Sequence, residues 1–312
     1  MATILLKNAT ITSNPVIPDW SYSRMQVLHS CPRKYYYTYY GGKKFVALNE
    51  QNKDVIQFLK TLSNGYLLVG EIVHHLIKSY FKRKSKGDSW DLTRLQSFGY
   101  RILKDAIVYS MELRDEIFNE YKFTPRSLME VYYNEVDPSV FRNKLRAEIN
   151  HHLEMFFKSE NFLHLREGCA SEDAEIEKRT HFSLGNVRID GAADLLFKYG
   201  EDLLIADWKT GEMEIEDTSL QLLTYAWWAL ETNRASKNNI LLQKAYLLDG
   251  HLEKMEFSGL HLQRAKAKII QDSERLIEFD EFGKEGVMDA FTVCGQERIC
   301  HQCSFKKICL GK

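Results

Sequence analysis

The sequence is short of most features that mark the special classes of chain. No apolar run reaches the roughly 18 residues that a membrane-spanning helix needs. The first twenty residues, MATILLKNATITSNPVIPDW, lack a charged stretch leading into an apolar one, so no export signal is read and a cytoplasmic location is expected. Charge of one sign is missing too: 42 Lys and Arg against 43 Asp and Glu leave a net charge of −1. No overall basic field therefore advertises a nucleic-acid binder, and any such contact must use local patches. Only five prolines occur, at 15, 18, 32, 125 and 138, all outside the long periodic segments. There is no Pro/Gly-rich linker, internal repeat or low-complexity tract. No G-x-x-x-x-G-K-[ST] is present, which excludes a P-loop motor within this chain.

What is present is the composition of an average globular chain, 44% apolar and 27% charged over 312 residues. That length suits one large domain or two ordinary ones and can bury a full core without staples. From about residue 20 to 165 the pattern is helical. Leu95, Phe98, Ile102, Ala106, Tyr109, Leu113 and Ile117 recur at steps of three and four, and Leu145, Ile149, Leu153 and Phe156 mark a second stripe. The character changes near residue 174. Val187 to Phe197 and Leu203 to Ile205 read as two strands joined by Tyr199-Gly200-Glu201-Asp202, a hairpin. A helix from Leu220 to Leu230 follows, with Asp217, Thr218 or Ser219 as its cap. Ile240 to Leu248 and His251 to Phe257 flank Asp249-Gly250, a second hairpin signal, and Leu262 to Ile277 is helical before a cysteine-bearing tail, read as a loop. Helices, sheet, helix, sheet, helix is the order of an α/β or α+β core with a helical N-terminal half or insertion.

The chemistry concentrates on the strands. Asp207 and Lys209 stand two apart at the end of an apolar strand, so both side chains point to one face. Asp194, on the preceding hairpin arm, can lie beside them. Two carboxylates and a lysine converging there make a site for Mg²⁺ or Mn²⁺ with a cation alongside, fit to activate water at a scissile phosphate. Asp190 is a rival for Asp194, though four strand residues, about 13 Å, separate them and one ion cannot take both. As isolated patterns these residues are equally consistent with turn and edge charges. His74 lies on a helical pattern with Ile72, Val73, Leu76 and Ile77, where an imidazole serves either as a metal ligand or as a packed or solvent-facing histidine. Gln221 and Tyr225, four apart on the next helix, share a face.

The series Gly70-x-x-x-His74, Gly191-x-x-Asp194, Asp207-x-Lys209 and Gln221-x-x-x-Tyr225 resembles the RecB-type branch of the PD-(D/E)XK nucleases in order and approximate spacing. Ser21 to Tyr37, leading into Cys31-Pro-Arg-Lys-Tyr35, resembles the start of that branch. Ala193 stands where the family name has proline. The resemblance covers about residues 21–309 and implies a restriction-endonuclease-like mixed β-sheet core flanked by helices. In that layout residues 1–312 form one nuclease domain. Residues 21–80 carry the N-terminal cysteine and His-motif helices, 85–170 a helical insertion, 174–258 the catalytic sheet, and 259–312 the C-terminal helix and tail. It implies that His74, Asp194, Asp207 and the main-chain carbonyl of Trp208 ligate the metal, that Lys209 is the catalytic lysine, and that Gln221 and Tyr225 support substrate binding.

Six cysteines without an export signal argue for metal or redox chemistry rather than disulfides. Cys300-x₂-Cys303-x₅-Cys309 offers three ligands and needs a fourth, with Cys31 favoured and Cys294 a possible substitute. Thiolates suit iron–sulfur and zinc alike, and structural zinc more often shows two C-x₂-C knuckles. In the iron–sulfur subset of the family, which includes AddB, exonuclease V and the CRISPR-associated RecB-like exonucleases, this arrangement holds a [4Fe–4S] cluster, here implied on Cys31, Cys300, Cys303 and Cys309. Cys169 reads as a small buried apolar residue.

Basic residues are local (Lys82-Arg-Lys84 with Lys86, Arg33-Lys34, Lys43-Lys44, Lys306-Lys307), and Tyr35 to Tyr40 is dense in aromatics. That run suits either base stacking or the core. The resulting expectation is a metal-dependent DNA nuclease, an exonuclease on single-stranded ends, in repair, recombination or defence. A separate helicase or a CRISPR integrase is its possible partner. The alternatives are a non-catalytic DNA-binding or assembly subunit of a helicase–nuclease complex, a CRISPR spacer-acquisition nuclease, and a zinc-stapled interaction protein.

Overall fold

The computed structural model describes residues 19–43, 50–88, 90–115, 127–185, 187–212, 219–236, 238–255 and 257–311. Ile117, Asp217, Thr218 and Lys44, singled out above, lie outside the described residues.

The chain enters through α1 (Tyr22–Ser30), capped by Ser21 Oγ accepting the Arg24 N–H at 3.2 Å. Cys31 separates it from α2 (Pro32–Tyr36), where proline takes the first helical position, needing no N–H there. A π-turn over Tyr37–Gly41 follows. Then come α3 (Glu50–Thr61), β1 (Leu62–Ser63), α4 (Gly65–Lys84), α5 (Leu92–Asp115), β2 (Ser127–Leu128), α6 (Met129–Tyr132), α7 (Pro138–Lys158) and α8 (Leu163–Gly168). The C-terminal half carries β3 (Glu175–Leu184), β4 (Val187–Tyr199), β5 (Asp202–Lys209), α9 (Ser219–Glu231), β6 (Ile240–Tyr246), β7 (His251–Met255), α10 (Gly259–Glu285), α11 (Glu297–His301) and α12 (Lys306–Leu310).

Five strands form one sheet in the order β3-β4-β5-β6-β7, with β5 and β6 parallel and the other neighbours antiparallel. The parallel pair needs a crossover, and α9 supplies it. One face of the sheet, through Leu195, Phe197, Leu204, Ala206, Trp208 and Ala245, packs on the helical layer of α4, α5 and α7. The other face, through Leu196, Leu203, Ile205, Ile240 and Leu242, packs on α9. A third cluster joins α1, α2 and the π-turn to α10 and the tail, with Phe291 and Phe305 buried among Tyr35, Tyr36, Tyr37 and Tyr40. This is the mixed α/β architecture of a restriction-endonuclease-like fold.

The second stripe is buried as read, whereas in the first Leu95, Ala106 and Leu113 are buried, Phe98, Ile102 and Tyr109 are half-buried, and Leu103 and Ile107 join the core. Both hairpins form. Gly200 at φ +65° permits the tight β4–β5 turn, and Gly250 at φ +74° closes the four-residue β6–β7 turn, where the His251 N–H meets Asp249 Oδ1 at 3.0 Å. Three expectations are corrected. β3 is a full strand that sequence reading left unassigned. The helical N-terminal half contains a small parallel pair, β1 with β2. The tail is a run of short helices, α11 and α12, rather than a loop. The Tyr35–Tyr40 run belongs largely to the core: Tyr35, Tyr36, Tyr37 and Tyr40 are buried. Among the described residues, no helix is long and apolar enough to cross a membrane.

His152 on α7 is buried and donates through Nδ1 to the Leu247 carbonyl at 3.0 Å, tying α7 to the end of β6. Burial holds its pKa below the ordinary imidazole value. A group lowered in this way binds its proton more readily in the unfolded chain. Its contribution is intact above about pH 6.5 and is lost as the pH falls below it. Melting curves between about pH 7.5 and 5.5 are expected to slope less for His152→Gln, which keeps an amide donor for Leu247, than for the parent chain.

Candidate active site

The site opens where β4 and β5 part. Their ladder runs from Tyr199 opposite Asp202 to Leu195 opposite Ala206 and ends there. Two residues beyond it, the Trp208 N–H donates to the side chain of Asp194 at 2.9 Å. On the far side of β4, Glu177 of β3 adopts a left-handed φ of +45°, and the β3–β4 register passes from Ile176–Leu195 to Lys178–Ala193 without pairing Asp194. Such a conformation is unfavourable for a residue with a side chain and marks a local break in the strand. Asp194 is thereby turned to the position where α4 presents His74, whose Nδ1 lies 3.4 Å from Asp194 Oδ1. Trp208 anchors the splayed strand by burying its ring on the opposite face against Phe81, Phe156 and Phe162.

Asp207 and Lys209 share a face of β5, as period-2 geometry requires, and Lys209 Nζ stands 2.7 Å from Asp207 Oδ2. Gln221 of α9 ties the group together. Its Oε1 accepts from Lys209 Nζ at 2.7 Å, and its Nε2 donates to Asp207 Oδ1 at 3.1 Å and to the Tyr225 hydroxyl at 3.0 Å. Gly191 explains itself in this setting. A Cβ there would fall 2.6 Å from Tyr225 Cε1, so only glycine lets β4 pass the ring. A cavity of about 290 Å³ is lined by His74, Asp194, Asp207, Lys209 and Gln221, together with Tyr66, Tyr246 and the Trp208–Glu212 segment.

The charges are unevenly balanced. Burial would raise Asp194, but His74 beside it and the Trp208 N–H hold its carboxyl below the usual range. Burial likewise opposes the charge on His74, yet Asp194 and then Asp207 push it up to about 9. Lys209 is raised in spite of its burial, chiefly by Asp207. Asp207 is pushed up by burial and by Asp194, against the pull of Lys209. Its Oδ2 is buried and faces the Lys209 ammonium at 2.7 Å. Two buried carboxylates that converge on one polar cavity offer the oxygen ligands that a hard divalent cation takes. Among the described residues, no three His, Cys, Asp or Glu side chains stand as a finished ion-binding group, since each carboxylate leans on His74 or Lys209 instead.

A family model of the PD-(D/E)XK nuclease superfamily matches residues 19–310. The chain belongs to that superfamily. Its members are nucleases that typically use Mg²⁺ or Mn²⁺, which makes DNA the substrate class in view. A search among curated proteins returned no match. Among solved structures, the crystal structure of SSO0001 shares 17% identity, spanning 68% of this chain and 95% of the other, at a TM-score of 0.31.

Six sequence-read residues of this PD-(D/E)XK chain, His74, Asp194, Asp207, Lys209, Gln221 and Tyr225, meet in one place, with the Trp208 backbone beside them. Asp190 does not join them: its carboxylate pairs with Arg188 Nε at 2.9 Å and its N–H bonds to the Trp20 carbonyl. Sequence reading missed Tyr66 and Tyr246. Tyr246 sits in register with Lys209 on the neighbouring parallel strand, a pairing visible only once β5 and β6 are known to be adjacent.

Five of the six cysteines come together elsewhere. Cys31, Cys294, Cys300, Cys303 and Cys309 all line a small cavity of about 20 Å³, with Lys34 and Lys306 at its wall. Cys294, disfavoured by the resemblance, is there too, its Sγ 3.9 Å from that of Cys300. Burial pushes the Cys303 and Cys309 thiols up, and their sulfur neighbours, Cys31 among them, add to it. Cys169 is apart from this group: it is buried, its thiol donates to the Arg166 carbonyl at 3.0 Å, and its pKa is pushed up to about 11.

Proposed function

We propose that the protein is a Mg²⁺- or Mn²⁺-dependent deoxyribonuclease that works as an exonuclease on single-stranded DNA ends, in repair, recombination or defence. The observation that carries this reading is the convergence of Asp194, Asp207, His74 and Lys209 on one polar cavity. His74, Asp194, Asp207 and the Trp208 carbonyl would hold the ion, which when bound supplies charge neutralisation at the phosphate and acidifies the attacking water. Lys209, fixed by Asp207 and Gln221, stands ready to orient that water and to meet the charge that develops on the phosphate oxygens. Gln221 keeps the ammonium from swinging into solvent, and Tyr225 fixes Gln221 in turn.

We further propose a cluster of the [4Fe–4S] type on Cys31, Cys300, Cys303 and Cys309, since an all-thiol donor set suits soft iron–sulfur chemistry and these thiols line one cavity. Such a group would fasten the α1–α2 junction to the C-terminal tail. A separate helicase or a CRISPR integrase is the kind of partner a motorless nuclease would work with.

Linear and circular single-stranded DNA of equal sequence, offered with Mn²⁺, test the exonuclease part. The reading predicts that the linear strand is shortened from an end and the circle survives. Equal cutting of both would make the enzyme an endonuclease. The Gly191→Ala variant tests the architecture: pushing Tyr225 aside is expected to cost about 1–3 kcal/mol in a denaturant titration. Through the displaced Gln221, it should also lower cleavage by about 10- to 100-fold.

A further inference from the structure

Alongside the metal cavity lies a second cleft of about 490 Å³, and the two share Tyr66, His74 and Thr210 as a common wall. Its character differs from that of the first. Lys78 in its lining is engaged in an ion pair with Glu177, and Glu71 adds a second carboxylate. The cleft also carries His74, His75, Leu67 and above all Tyr66, which is 60% exposed although it borders the buried centre. An exposed tyrosine at the mouth of a polar cavity presents a flat π-face at low entropic cost. Its hydroxyl is seated against Gly211, where an added Cβ would lie 2.3 Å from the oxygen.

We infer that this second cleft receives a nucleobase of single-stranded DNA, stacked on Tyr66, from the nucleotide that adjoins the phosphate in the metal cavity. The inference rests on the nuclease reading above and adds to it a reason for single-strand preference. A base must be unpaired to leave its partner and lie on the ring, whereas duplex DNA keeps its bases stacked on one another. The two cavities differ in what they offer: the first gathers Asp194, Asp207 and Lys209, and the second presents the exposed Tyr66 ring.

The test is binding of a single-stranded oligonucleotide carrying 2-aminopurine near its end, with Ca²⁺ in place of the catalytic ion, to the full chain and its variants. The parent protein should quench the probe. Tyr66→Ala should bind about ten-fold more weakly, the size expected for one lost base–aromatic stack, and leave the probe bright. Tyr66→Phe should keep both affinity and quenching within about two-fold, because the ring is retained. Gly211→Ala, which pushes the hydroxyl end of the same ring, should fall towards Tyr66→Ala. In steady-state cleavage the loss should show mainly in KM, by about the same factor. Tyr66 is exposed enough for these substitutions to leave the melting temperature unmoved, which separates lost binding from lost folding. Parent-like affinity and quenching in Tyr66→Ala, from a protein that does cleave DNA, would overturn the stacking inference alone. A parent chain that neither binds nor cleaves the strand would overturn it together with the nuclease reading.

Discussion

Lys209→Ala is expected to lower the single-turnover cleavage rate by at least about 10³-fold while leaving DNA affinity within a few-fold. The lysine touches nothing that the fold needs: its ammonium meets Asp207 and Gln221 inside the cavity. Removing it leaves Asp207 buried without its counter-charge, but that carboxyl is already hard to ionise, so it takes up a proton instead of unfolding the strand. The variant should therefore melt close to the parent chain. Asp207→Asn is expected to reach a similar loss by a different route, since an amide there still accepts from Gln221 but no longer pairs with Lys209 as an anion and offers a weaker oxygen to a cation. Cleavage by Lys209→Ala within ten-fold of the parent would remove the lysine from the chemistry.

Cys303→Ala carries the second large effect. Cys31 and Cys303 lie roughly 270 residues apart in sequence and share one cavity. A group bound between them closes nearly the whole chain into a loop, and a covalent closure of that length restricts the unfolded state by about 5 kcal/mol. Loss of the group should lower the melting temperature by about 5–10 °C in a chain of this size. It should do so without unfolding the junction outright, because Arg33 Nε still donates to the Phe291 carbonyl at 2.7 Å and the Tyr37 and Phe305 rings still pack. Elemental analysis of anaerobically purified protein is expected to find iron and sulfide in the parent and neither in Cys303→Ala. Zinc is the instructive alternative. Thiolates around one zinc at about 2.3 Å stand about 3.8 Å apart, and the Cys294–Cys300 separation of 3.9 Å is of that size. Zinc without iron would reassign the centre.

The legible parts of this molecule are those that one stretch of chain encodes. Asp207 and Lys209 fall on one strand face, Gln221 and Tyr225 on one helix face, and His74 on a helix whose apolar residues are plain, so local periodicity carried each pair or residue to the right element. Convergence of those elements was legible only through the resemblance, because no local rule says that α4 crosses the end of β4. β3 escaped because Lys178 and Arg179 interrupt the alternation, although Ile176, Thr180, Phe182 and Leu184 keep its period of two. β1 and β2 are two residues each and have no periodicity to read. Tyr66 was silent for a different reason. As the second residue of α4 it is an ordinary exposed aromatic until β5 delivers Gly211 to its hydroxyl. The tyrosines after Cys31 had two consistent readings in sequence, and Phe291 and Phe305, more than 250 residues away, decided in favour of the core.

The most direct test of the central claim is the cleavage of end-labelled single-stranded DNA by chelator-stripped protein, before and after Mg²⁺ or Mn²⁺ is restored, with Asp207→Asn in parallel. The account predicts an intact strand in chelator, shortened products once either ion returns, and none from Asp207→Asn. Cleavage that persists in chelator, or a bound strand left whole by the parent chain with both ions, would contradict it.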